Sequence, residues 1–202
     1  MDRGRGPADD GETIPTSASK KRTRRRKPSR YISKRQATNL MEALKFASLI
    51  GFPLNVSVDI SWLFFSGSAD DRTRFARCQQ RLSKWTSRRG FPLTLMWTRE
   101  VGKHGGINTH VLLHVPPWLM ESGDFERALE LAFEPEGGPN HAKATRIQPA
   151  PFPEGKLGYN LKGLDPKDAK ELGVRASFQG DLEGKRVGCT ENIGARARKG
   201  TN

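Results

Sequence analysis

Between residues 54 and 64 the chain reads Leu-Asn-Val-Ser-Val-Asp-Ile-Ser-Trp-Leu-Phe, with every even position large and apolar and every odd position up to 61 polar. A period of two is the mark of a β-strand buried on one side, because successive side chains leave opposite faces of the pleat. The chain must therefore build a sheet with one face on a core and one polar face. The period then changes. From 70 to 89, Phe75, Cys78, Leu82 and Trp85 form a helical stripe among Arg, Gln and Ser, closed by Gly90 and Pro92. Residues 91–101 alternate again. Gly102-Lys103-His104-Gly105-Gly106 is a turn signal, and 107–115 is a third apolar run ending at Pro116-Pro117, so strands two and three are expected to form a hairpin. A second helix over 124–133, a fourth strand over 142–149 and a short helix over 154–162 complete the series. An amphipathic helix over 39–50 precedes it.

The order β-α-β-β-α-β plus a trailing helix predicts an α+β fold of ferredoxin-like or RRM-like type. In it an antiparallel sheet carries its helices on one face, leaves the other face free for a ligand, and is followed by a helix bearing Tyr159. Charge divides the chain differently. Of 202 residues, 35 are Lys or Arg and 22 Asp or Glu, a net +13. Residues 1–36 hold 12 of the cations and 4 of the acids, so +8 of the charge lies in this arm and +5 in the remaining 166 residues. The arm lacks apolar side chains to bury around its cationic centre at 19–30, so it is expected to be disordered and to attract phosphates of DNA or RNA. The expected organisation is this arm (1–36), a folded domain (37–166) and a basic, Gly-rich, loosely ordered segment (167–202). No apolar run approaches the roughly 20 residues needed to span a bilayer, and the N-terminus has no signal-type segment, so a soluble, cytoplasmic protein with no membrane partner is expected. Cys78 and Cys189 are too few for a disulfide framework or a zinc knuckle, and Cys78 reads as a core residue.

Two constellations carry chemistry. On strand three, Asn108, His110, Leu112 and His114 share one face and Ile107, Thr109, Val111, Leu113 and Val115 the other. The hairpin brings Glu100 of strand two beside the polar set. Glu100, Asn108, His110 and His114 are thus candidate ligands of a divalent metal, with imidazole, carboxylate and amide suiting Mg2+ or Mn2+ with open water positions. The second is Tyr159-Asn160-Leu161-Lys162. On a helix, residues three apart lie roughly 5–6 Å from one another. A phenol, with an ordinary pKa of about 10, needs a nearby cation to act as a nucleophile at neutral pH, and Lys162 supplies one. Tyr159 is also the only tyrosine of the expected fold, since Tyr31 lies in the arm.

Glu100, then Asn108-Thr109-His110, then His114 and a following Tyr159-x-x-Lys162, resemble the HUH endonuclease superfamily, most closely its single-tyrosine initiators of rolling-circle replication. The resemblance spans about residues 54–163. It implies a metal-dependent, site-specific nicking and rejoining of single-stranded DNA through a covalent 5′-phosphotyrosine, with Tyr159 the nucleophile, Lys162 its cation, and Glu100, Asn108, His110 and His114 on the metal. It also implies an origin hairpin as partner. No Walker A motif is present, so unwinding would come from a separate host helicase. The departure is Asn108, which stands where the family has its first histidine, with Thr109 at the usual hydrophobic position. Asn donates an oxygen to Mg2+ or Mn2+ but binds transition metals less well than imidazole; His104 is a possible substitute. The rival reading is a non-catalytic nucleic-acid-binding module of similar topology, including a degenerate member of the same superfamily. A basic structural protein of a ribonucleoprotein would explain the arm but not the histidines.

Overall fold

The computed structural model describes Met1 and residues 28–66, 69–102, 105–136 and 144–200. The basic arm up to residue 27 and His104 lie outside the described residues. In chain order the elements are α1 (Lys34–Leu49), β1 (Val56–Ser61), α2 (Asp71–Ser87), β2 (Leu95–Val101), β3 (Ile107–Leu113), α3 (Pro117–Glu121), α4 (Asp124–Phe133), β4 (Thr145–Pro149), α5 (Pro153–Asn160), α6 (Pro166–Glu171), β5 (Val187–Cys189) and α7 (Ala195–Lys199). All strand pairs are antiparallel, in the order β4-β1-β3-β2-β5. The fold is α+β. Among the described residues no helix is long and apolar enough to cross a membrane.

Local chemistry sets the boundaries. Helix α1 starts five residues before the periodicity suggests, because Ser33 and Gln36 form a reciprocal capping box that satisfies the free amides of the first turn. Asp70 caps α2 in the same spirit, accepting from the amides of Arg72 and Thr73. The hairpin of β2 and β3 forms as expected, with Glu100 directly opposite Asn108 and Thr98 opposite His110.

The core is double. Val56, Val58, Ile60, Val111 and Leu113 face α2 and α4, which contribute Phe75, Cys78, Leu82, Phe125 and Leu129. Trp62 belongs to this side, and its indole N–H donates to Thr109 Oγ1 at 2.8 Å, which explains a hydroxyl where an apolar residue is the norm. Cys78 is buried, as expected, and burial pushes its thiol up to about 12. The sheet's opposite face is not left open. Met96, Leu112 and Val187 pack there beneath Leu40 and Leu44 of α1, Leu157 of α5 and Ile193. The expectation of helices on one face is therefore corrected: helices cover both, and only one end of the second face remains accessible. The reason is α1, whose apolar stripe needs a partner and finds it on the apolar half of the supposedly polar face.

The expected loose order of 167–202 is likewise corrected for the described residues 167–200. Here α6, β5 and α7 form, and β5 extends the sheet by pairing Val187 with Thr98 and Cys189 with Met96. Arg186, 1% exposed, fixes this segment to the start of the fold, donating to the carbonyls of Ser29 and Gly180. These bonds join positions far apart in sequence, so no local period announces them.

Candidate functional site

The accessible end of the second face is built from three strands and one helix. The register sets Asp59 of β1 beside His110 of β3, and Glu100 of β2 diagonally across from it. His110 lies between the two acids: Nδ1 is 2.6 Å from Asp59 Oδ1 and Nε2 is 3.1 Å from Glu100 Oε1. The first contact is a hydrogen bond; on the second side Nε2 is buried and makes no directed hydrogen bond. Helix α5 and the turn that follows it supply the cations. Lys156 Nζ bonds Asp59 Oδ2 at 3.1 Å, and Lys162, in the single turn Leu161–Gly163 that follows α5, reaches Glu100 Oε2 at 3.0 Å.

Lys162 Nζ also donates to the Tyr159 hydroxyl at 3.1 Å and lies 4.3 Å from the centre of its ring. The expected Tyr159–Lys162 partnership is thus present. The tyrosine is 57% exposed, with its ring edge toward His110 at 6.4 Å between centroids. A cleft of about 870 Å3 opens here, lined by Glu100, Asn108, Tyr159, Lys162, Arg175 and Phe178 among others. Asn108 lies beside Gly102, where a Cβ would sit 2.8 Å from the Asn108 amide nitrogen, so a side chain at 102 would crowd this wall.

Electrostatics follow from this packing. Burial alone would discharge His110, but the Asp59 and Glu100 carboxylates outweigh it and raise its pKa above the ordinary value. Burial would raise both carboxyls, yet the His110 contacts and the lysines hold Asp59 and Glu100 below their ordinary values. Lys162 also resists burial: its bonds to Tyr159 and Glu100 keep it more firmly protonated than a free lysine. Lys156 and Lys162 face the carboxylates of Asp59 and Glu100 beside an exposed phenol, and protonation of His110 adds one positive charge in excess. That surplus suits a phosphodiester.

Of the four expected ligands, the fold brings together Glu100, Asn108 and His110. His114 is elsewhere. It lies four residues, roughly 13 Å, along the chain from His110, past the buried Leu112, and its Nδ1 is engaged with the Pro53 carbonyl at 2.9 Å between the rings of Phe52 and Phe91. Beta alternation gives the shared face correctly, but α1 covers its middle and separates the two ends. Among the described residues no three His, Cys, Asp or Glu side chains group as a metal site. What does fit a cation is narrower: Glu100, the Asn108 amide and the buried Nε2 of His110. Asp59 and Lys156 were not singled out from sequence. Asp59 was visible as an odd, polar position of the first strand, and becomes a site residue only because β1 lies next to β3.

The chain matches no family model, no curated protein and no solved structure.

The charge network makes a pH prediction. A His110 whose folded pKa is raised stabilises the fold fully below its ordinary value of 6.5, and this contribution is lost as pH rises through the higher folded value. The carboxylates act oppositely: their contributions are whole above the ordinary 3.8 and 4.5 and are lost as pH falls through the depressed folded values. Denaturant titrations in chelated buffer should therefore show the stability gap between the native chain and His110→Gln greatest between about pH 5 and 6.5. A gap that stays constant into the alkaline range would mean that His110 is not charged in the fold.

Proposed function

We propose that this cleft nicks and rejoins single-stranded DNA by transesterification, with Tyr159 as the nucleophile, in a fold we take to be a ferredoxin-like βαββαβ unit extended by one edge strand. The order β4-β1-β3-β2 with the α2 and α4 crossovers supports the topology. The observation that carries the function is the exposed Tyr159 hydroxyl, bonded by Lys162, which is itself paired with Glu100, in the wall of the cleft.

In this reading the Tyr159 oxygen attacks phosphorus, the bond from phosphorus to the 3′ oxygen breaks, and the phenol proton ends on that leaving oxygen. One phosphodiester is exchanged for another, so rejoining is the same step reversed and needs no energy source. Lys162 stays protonated and points an N–H at the tyrosine oxygen, which stabilises negative charge as it develops there. Glu100 holds Lys162 in that position. Asp59 and Lys156 fix the His110 ring from behind. A divalent ion, Mg2+ or Mn2+, would be held by Glu100, Asn108 and His110 Nε2, without His114, and would polarise the scissile phosphate. Asp59 on Nδ1 would then orient the ligating imidazole, the usual partner of a metal-bound histidine. An origin hairpin as substrate and a separate helicase remain parts of the same proposal.

The test is incubation of labelled single-stranded DNA with the protein and Mn2+, assayed for an SDS-resistant covalent adduct. One observation favours the rival, a non-catalytic single-strand binder: Glu100 is already neutralised by Lys162 and His110. That reading expects binding without adduct. Within the nicking reading, Lys162→Ala should slow adduct formation by about 100-fold or more while weakening DNA binding only severalfold, because its work is at the charged transition state. Equal losses in rate and binding would reduce Lys162 to a phosphate contact.

A further inference from the structure

One wall of the cleft is made by the segment between α6 and β5. Its backbone is held at two points, by the Ser177 amide donating to the Lys162 carbonyl at 2.6 Å and by the Val101 amide donating to the Gln179 carbonyl at 3.1 Å. Gly180 turns the chain with φ +67, and a Cβ there would meet Val101 Cβ at 2.7 Å, so glycine permits both the turn and the close approach. From this fixed strap Phe178 projects with 57% of its surface exposed; Phe152 and Trp118 are exposed as well, but Phe178 lines the cleft and they do not. Tyr31 meets its ring edge to face at 6.3 Å, and the Arg30 guanidinium lies 5.6 Å from the centre of Tyr31 and 5.3 Å from that of Phe178. Arg186 locks the two halves together, since it binds the carbonyls of both Ser29 and Gly180. The aromatic pair is therefore held in place while Phe178 stays 57% exposed.

A large apolar ring kept in water on a rigid support is suited to a flat partner. The same cleft holds Lys162, Arg175 and the exposed Tyr159. Planar faces beside cations are what single-stranded nucleic acid requires, with bases stacking on aromatics and phosphates following the charge. A duplex hides its base faces and cannot use such a platform.

We propose that Phe178, backed by Tyr31 and Arg30, stacks one unpaired base of a single-stranded DNA whose backbone passes Arg175 and Lys162 toward Tyr159. This rests on the nicking reading only for the direction of the strand. The stacking subsite itself is a binding site and is read without chemistry.

The experiment uses the full chain carrying Tyr159→Phe, so that binding is measured without cleavage, and oligodeoxythymidylates with a single 2-aminopurine moved along the strand. One position should change its fluorescence strongly on binding. Phe178→Ala should weaken binding about 5- to 150-fold and remove that signal, while Phe178→Trp retains both. An abasic residue at the same position should cost the native surface a similar factor, with Phe178→Ala then adding little. Binding within about twofold and an unchanged signal in Phe178→Ala would overturn the subsite, as would an equal loss on blunt duplex. The two readings fail separately: a native chain that forms no adduct while Phe178→Ala loses the stacking signal removes the nicking and leaves the subsite. An adduct with no effect of Phe178→Ala does the reverse.

Discussion

Tyr159→Phe is expected to abolish the covalent adduct with single-stranded DNA and to leave binding within about twofold, since stacking and charge, which dominate single-strand affinity, are unaltered. Among the described residues the hydroxyl makes one hydrogen bond, from Lys162 at 3.1 Å, and Lys162 keeps its bond to Glu100 when the hydroxyl is removed. The ring retains its place under the ammonium and its edge toward His110. At 57% exposure the side chain contributes little to the core, so the fold should melt within a degree or so of the native chain, in line with ordinary surface substitutions of about ±0.5 kcal/mol. Rate and binding thus separate cleanly in this one variant. An adduct that persists in Tyr159→Phe excludes Tyr159 as nucleophile. Tyr31, the other tyrosine, would then be the residue to substitute.

How much of this arrangement could be read from sequence depends on how local its cause is. The alternation of 91–101 and 107–113 placed Glu100, Asn108 and His110 on one face, because a strand of period two and a tight hairpin need no information from elsewhere. The three-residue spacing brought Tyr159 to Lys162, although the helix ends at Asn160 and Lys162 reaches back from a tighter turn. Asp59 and Lys156 escaped because they join the site through strand order and helix docking, which a single sequence does not encode locally. His114 shared the right face and still lies apart, since alternation describes direction and not what covers the surface between two positions. The β5 region had no period to read: a three-residue strand and a buried arginine reveal themselves only through partners some 90 and 157 positions away. Phe178 was hidden for the same reason. An exposed aromatic in a charged, Gly-rich stretch carries no signal until the cleft it lines is known.

The second large effect concerns His110, where charge and ligand chemistry meet. Replacing it by Ala removes the common partner of two carboxylates whose side chains are only 25% and 12% exposed. Breaking a buried pair in this way costs about 3–5 kcal/mol. Here Lys156 and Lys162 still face Asp59 and Glu100, so about 2–3 kcal/mol is expected, read as a lower urea midpoint with unchanged slope. His110→Gln, which keeps a polar group in the gap, should recover part of the loss. Metal binding offers the sharper test, because a histidine held in its charged form must lose the Nε2 proton before it can coordinate. Calorimetric titration of Mn2+ in buffers of different ionisation enthalpy should therefore show release of about one proton per ion near pH 6. His110→Gln should bind Mn2+ far more weakly and without that release, while Asn108→His should bind it more tightly, since imidazole is the better ligand. Equal Mn2+ affinity in the native chain and His110→Gln would sink the metal assignment and leave His110 as a structural cation between two acids.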